Sequence, residues 1–257
     1  MNGIVYLIGA GPGAADLLTL RAARLLQQAD IVFHDALVHP DTVALAVNAE
    51  KVAVGKRCGR HSTAQQFINK RLVDAARKHG IVVRLKGGDP MLFGRAQEEI
   101  AALEAEGIRC DVVPGITAAL AASAELRTSL TQRGIARSVT FATPRVGKGE
   151  RASTWADGLA ASDAGAIYMG IGEAAVIAAT LLAAGKPPGL PVAVVESASL
   201  PEQRVRYTTL AALPHLAAAE ISGPALILLG PQFVAREAVA FDAEDSRCRG
   251  ELRKATG

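Results

Sequence analysis

The sequence predicts an α/β protein of two domains, and three observations carry that prediction. Through the first half, short β-branched runs alternate with Ala/Leu-rich amphipathic segments, the rhythm of a mostly parallel sheet covered by helices. Glycine-rich turns follow three of the runs: Gly9-Ala10-Gly11-Pro12-Gly13, Gly87-Gly88-Asp89-Pro90 and Pro114-Gly115-Ile116-Thr117. The pattern then changes, which places a first domain over residues 1–114 and a second over 115–235. Residues 236–257 are polar, lack periodicity and read as a loosely held tail.

The first domain has candidate strands at 4–8, 31–34, 51–54, 81–86 and 109–113, each marked by clustered Ile and Val. Helices are expected at 17–28, 63–78 and 93–106, where apolar residues recur at helical spacing. Gly80 and Gly107 each end a helical pattern ahead of a strand, the place of a C-terminal cap. In the second domain a small-residue helix at 117–123 leads into a polar stretch with Thr128, Thr131, Arg133 and Arg137. Strands follow near 138–142, 166–169, 192–195, 205–208 and 225–229, with helices at about 173–184 and 210–219.

Half of the 257 residues are apolar and 21% are charged, an ordinary globular balance; aromatics at 4% leave the cores to Ala, Val, Leu and Ile. A net charge of +3 is too mild to call for nucleic acid, and suits an acidic small molecule in a locally basic cleft. Cys58, Cys110 and Cys248 form no CxxC pair and the five histidines no HxxxH pair, so neither disulfide nor metal is expected and a reducing cytoplasm is. No uncharged apolar stretch nears the roughly 18 residues of a membrane span, and no basic leader opens the chain, so no membrane partner is expected.

Strand ends in open α/β sheets are where ligands bind, and glycines there let backbone approach a ligand closely. Three such turns predict a ligand cleft. Taken alone, Gly9-x-Gly11-x-x-Ala14 fits a dinucleotide fingerprint with Asp30 as its acidic residue, which would make an NAD(P)-dependent oxidoreductase. Pro12 counts against it by removing an N–H from the loop that cradles a pyrophosphate.

In order along the chain, VYLIGAGPGAADLLTLRA, IVFHDALV, VGKRCGRH, VRLKGGDPMLFGR and VPGITAALAAS resemble the uroporphyrinogen-III C-methyltransferases of the tetrapyrrole methylase superfamily. The resemblance runs from about residue 5 to 230; the GGDP and PGITA loops are specific to the superfamily, while Asp35 and the GKR segment narrow it to the uroporphyrinogen enzymes. It implies two α/β domains with S-adenosyl-L-methionine folded in the cleft between them, and a homodimer. It further implies cofactor contacts at Pro12, Gly87, Gly88, Asp89, Leu92, Thr117, Ala118, Met169, Ala198 and Ala225. By itself Met169 reads as a core methionine, while Asp89 reads equally as a turn former in Asp-Pro or as a ligand contact.

The implied reaction transfers two methyl groups to pyrrole carbons of uroporphyrinogen III, giving precorrin-2. Asp35 matches the base that takes the proton lost after methylation, and Lys56 the acid or charge partner. The substrate's eight carboxylates call for arginines: Arg57 and Arg60 beside Lys56, Arg21, Arg95 and Arg133 with Arg137 are the candidates to converge on it, and Glu98 is placed to orient Arg95 or serve as an alternative base. The chain departs from the family pattern at Gln132 and Arg145, which replace histidines, and at Ala198, which replaces a glycine. A methyltransferase of a later precorrin stays open as the alternative, and a stand-alone enzyme is expected.

Overall fold

The computed structural model describes residues 2–54, 61–147, 149, 153–217 and 221–235. The first sheet joins β1 (Ile4–Gly9), β2 (Ile31–His34), β3 (Glu50–Ala53), β4 (Ile81–Lys86) and β5 (Cys110–Val113) in the order β3-β2-β4-β1-β5. Every pairing is parallel, so all five strands end at one edge. A parallel sheet must be covered on both faces. One face carries α1 (Leu20–Gln28) and α2 (Pro40–Ala44), the other α3 (His61–Ala76) and α4 (Ala96–Ala105). Alternation along the strands sorts the side chains: Ile8, Val32, Val83 and Leu85 pack with Leu26 of α1, while Leu7, Phe33 and Val82 pack with Leu72 of α3 and Leu103 of α4.

The second sheet contains β6 (Val139–Ala142), β7 (Ala164–Ile167), β8 (Pro191–Glu196), β9 (Arg204–Thr209) and β10 (Ala225–Leu229), ordered β6-β7-β10-β8-β9. Only β6 and β7 pair in parallel; β10 runs antiparallel to β7 and β8, and β9 antiparallel to β8. It follows that β6, β7 and β8 end at one edge and β10 begins there. On one face lie α5 (Ala118–Glu125), Leu130 and Phe233; α6 (Trp155–Ala161), α7 (Ala174–Ala183) and α8 (Leu213–Ala217) cover the other.

Several elements differ from expectation for local reasons. The first helix does not begin at 17: residues Ala15–Leu17 make a 3-10 turn, and α1 starts after Thr19, whose hydroxyl accepts the Ala22 N–H. Phe93 and Arg95 take φ of 54° and 55°, so α4 cannot start before Ala96. Helices α2 and α6 were not expected; they run only five and seven residues. Gly107 caps α4 with a φ of +63°, whereas Gly80 is no cap: α3 has ended at Ala76, and the Gly80 carbonyl accepts the Ile4 N–H.

Candidate functional site

The glycine turns that end β1, β4 and β5 touch backbone to backbone. Gly11 N–H donates to Gly88 O at 3.2 Å, and Gly88 N–H returns the bond to Gly11 O at 2.7 Å. A Cβ on Gly115 would stand 2.3 Å from Gly88 O and 2.8 Å from Gly9 Cα, so only glycine fits. Asp89 clamps the group, with Oδ1 accepting Met91 N–H at 2.8 Å and Oδ2 accepting Gly115 N–H at 2.9 Å. Its carboxylate thus has a structural task, and each oxygen keeps a further lone pair for a ligand. Half-buried Leu92 lies in the same loop, its N–H donating to Asp89 O at 3.3 Å.

Strand ends of the second sheet meet these turns. After β8, Ser199 Oγ accepts Ala14 N–H at 3.1 Å, and Leu200 packs so closely on Gly13 that a Cβ there would lie 2.7 Å from it. After β7, the Tyr168 hydroxyl accepts Ala119 N–H at 3.1 Å and sits 2.7 Å from Thr117 Oγ1. Burial raises the Tyr168 pKa above the ordinary phenol value against the lowering effect of those two bonds, so it stays protonated at neutral pH. Its ring lies 5.1 Å from that of Phe93, joining the β4 loop to the second sheet.

Met169 follows at a φ of 55° and is 46% exposed. A methionine packed in the core would be neither strained nor open. Ala198 is buried with Ala119 and Ala122, so its methyl belongs to the second core. Ala225 opens β10 opposite Glu196, at the same edge. Pro12, Gly87, Gly88, Asp89, Leu92, Thr117, Ala118, Met169, Ala198 and Ala225 all come from this convergence of strand ends.

A charged corner adjoins it on the α3/α4 face. Asp35 follows β2, and its Oδ1 accepts Arg84 Nη2–H at 2.5 Å. Arg84 Nε–H donates to Glu99 Oε1 at 3.0 Å, and Lys86 Nζ–H to Glu99 Oε2 at 2.8 Å. The three side chains are 3%, 4% and 0% exposed, against 31% for Asp35. Burial works against the Arg84 charge, yet Asp35 and Glu99 hold its pKa above the ordinary arginine value. For Lys86, burial and then the Arg84 cation push the pKa down, against the pull of Glu99.

Glu98 grips the Arg95 guanidinium through two bonds of 2.7 Å, both side chains half-exposed. Arg133 is exposed in a tight turn closed by Gln132 N–H to Ala136 O at 2.8 Å. Arg21 does not join the Asp35 corner. It projects from α1, on the opposite face of the first sheet, and lines a hollow of about 520 Å³ with Tyr6, Arg24 and Asp111. Lys56, Arg57 and Arg60 lie outside the described residues.

Arg84, Lys86 and Glu99 were missed from sequence. The available signal was two bases at alternate positions in a strand flanked on both sides, where near-continuous apolar residues are the rule. The dinucleotide reading fails on geometry: its helix must open at the glycine turn, but α1 starts only at Leu20, and Asp30 spends Oδ2 on Ile81 N–H at 2.8 Å. Among the described residues no helix is long and apolar enough to cross a membrane.

Residues 4–214 match the family Tetrapyrrole (Corrin/Porphyrin) Methylases. The chain is 44% identical over 241 residues to a siroheme synthase of Azotobacter vinelandii, a match covering 93% of this chain and 52% of that protein. It spans about half the length of the curated relatives it matches. A uroporphyrin-III C-methyltransferase from Thermus thermophilus, solved with S-adenosyl homocysteine, superposes with a TM-score of 0.79 at 40% identity, covering 89% of this chain and 98% of that one. A cobalt precorrin-4 methyltransferase superposes at 0.80 with 29% identity, over 90% and 96%.

Proposed function

This chain belongs to the tetrapyrrole (corrin/porphyrin) methylase family, and we propose that it is an S-adenosyl-L-methionine-dependent C-methyltransferase converting uroporphyrinogen III to precorrin-2 by two successive methylations. The observation that carries this reading is the meeting of the glycine turns with the strand ends of the second sheet at Ser199, Leu200 and Tyr168, next to the strained, exposed Met169 and beside the Asp35 corner. The turns offer backbone close to a ligand with no side chain in the way, which suits the amino-acid tail and ribose of the cofactor. Met169 offers a polarisable apolar surface for its adenine, and Thr117, held by Tyr168, steadies the third turn.

When bound, the cofactor supplies an electrophilic methyl group. Positioning of the pyrrole carbon in line with it is the main task of the protein. Asp35 takes the proton released from the methylated ring, and as a carboxylate it stabilises the positive charge on that ring beforehand. Arg95, oriented by Glu98, and Arg133 receive substrate carboxylates, with Lys56 and Arg57 as further partners and Lys56 as the acid; Arg21, across the sheet, reaches the substrate least directly. Units 1–114 and 115–235 form the two walls. A homodimer in the cytoplasm completes the reading; the Cys110 thiol, pushed up to about 12 chiefly by burial, is unreactive enough to stay free there.

Calorimetric titration with S-adenosylhomocysteine tests the cofactor, with one site per chain expected. Lack of binding would dispose of the methyltransferase reading. Methylation of a later precorrin but not of uroporphyrinogen III would keep the cofactor and change the acceptor.

A further inference from the structure

The buried charges beneath Asp35 form an array that the reaction above does not use. Glu99 lies at its centre, fully buried, and accepts Arg84 Nε–H and Gln65 Nε2–H on Oε1 and Lys86 Nζ–H on Oε2. Gln65 is itself tied to Asn69 Oδ1 at 3.0 Å, and Arg84 Nη1–H donates to Leu85 O at 3.2 Å. The guanidinium is therefore held at two further atoms while Nη2 reaches Asp35. Among the described residues only Oδ1 of Asp35 is engaged, which leaves Oδ2 for a proton from substrate.

We propose that Glu99 is a positioning residue for methyl transfer, fixing Arg84 so that Arg84 holds the Asp35 carboxylate in one orientation, with Lys86 setting the charge balance. This rests on the reading of Asp35 as the base. Arg84 and Lys86 bring two positive charges into the corner and Glu99 one negative, so the group is neutral when Asp35 is ionised. The other charged or titratable groups around this corner, among the described residues, include His34, whose Nδ1 lies 3.3 Å from the Asp35 carbonyl, Arg71 of α3, stacked 5.4 Å over the Phe33 ring, and the Cys110 thiol of β5, held protonated by burial first and by nearby carboxylates that include Glu99.

The array predicts opposite effects from two nearly isosteric changes. Glu99→Gln removes the negative charge, leaves the corner more positive, and favours the carboxylate. The acidic limb of the pH profile for methyl transfer then moves to lower pH, by roughly half to one unit, and the plateau drops by roughly two- to threefold. Lys86→Met removes a positive charge in a side chain of similar length, and the same limb moves toward neutral pH by a comparable, roughly half-unit, step.

Single-turnover methylation of uroporphyrinogen III across pH reads both, with S-adenosylhomocysteine affinity as the check that the glycine turns are intact. Limbs displaced in opposite directions support the positioning role. Profiles that overlay the wild type, or shift the same way, overturn it, as would a loss of rate that saturating S-adenosylmethionine restores. If Glu99→Gln does not fold, Lys86→Met alone decides by the sign of its shift. A wild-type chain that makes no methylated product removes the base assignment, and the positioning role with it; that control separates the two failures.

Discussion

Replacing Gly115 by alanine tests whether the three glycine turns act as one cradle. The added methyl would stand 2.3 Å from Gly88 O, 2.8 Å from Gly9 Cα and 2.9 Å from Gly9 C, against an ordinary contact of 3.4 Å or more. Every one of those atoms is backbone, so no side chain can swing away, and relief needs the turns to part by about 1 Å. That movement breaks the Asp89–Gly115 bond or the Gly11–Gly88 pair. One lost hydrogen bond costs about 1 kcal/mol and overpacking about 1–3 kcal/mol. A loss of about 2 kcal/mol corresponds to a melting temperature lower by roughly 4–8 °C. S-adenosylhomocysteine affinity falls about tenfold or more, because 1.4 kcal/mol of misplaced donors suffices for that. Gly172→Ala is the control, since nothing lies within 4 Å of its added methyl. The reasoning is refuted if Gly115→Ala melts within about 1 °C of wild type and binds S-adenosylhomocysteine within about twofold.

Three other outcomes follow from named contacts. Asp89→Asn leaves one acceptor oxygen where two backbone N–H groups now bond, so stability falls by about 1 kcal/mol and cofactor affinity falls with it, read by thermal melting and calorimetry. Arg95→Ala removes a guanidinium held by Glu98 at the mouth of the site; KM for the tetrapyrrole rises about tenfold while S-adenosylhomocysteine affinity holds, and an unchanged KM would remove Arg95 from substrate binding. The Glu196 carboxyl is held below the ordinary glutamate range by the Gly223 N–H first, then Ser222 and Arg206. A depressed folded-state pKa gives stability that is present above the unfolded value and lost as pH falls through the folded one. Glu196→Gln should therefore melt lower than wild type at neutral pH, with the gap closing on acidification; a gap that persists in acid would show that charge is not its source.

Strands were the most legible part of the fold. Ile31–His34, Ile81–Lys86 and Ala225–Leu229 each cluster apolar or β-branched residues, and their limits could be read to the residue. Helix starts were harder. Leu17 and Leu18 continue the apolar spacing of α1, but the cap at Thr19 decides where it begins. Phe93–Arg95 extended the α4 pattern in sequence, while positive φ at two of the three residues excludes it in space. Five-residue α2 is too short to show a period.

The glycine turns announced the site because few residues but glycine allow such approach. What sequence could not convey is which turns touch, or that Tyr168 and Phe93 link the two sheets across 75 positions. The Arg84–Glu99–Lys86 array was hidden for a different reason. A charged residue in sequence looks solvated, and only its alternation along the central β4 marks it as buried and in need of partners.

Anaerobic incubation of the purified chain with uroporphyrinogen III and S-adenosylmethionine, followed by mass spectrometry of the tetrapyrrole, tests the central claim most directly. Methyl transfer at two ring positions predicts a product heavier by two methyl groups, formed with two equivalents of S-adenosylhomocysteine. Unchanged uroporphyrinogen III, from a sample that demonstrably binds S-adenosylhomocysteine, would contradict it.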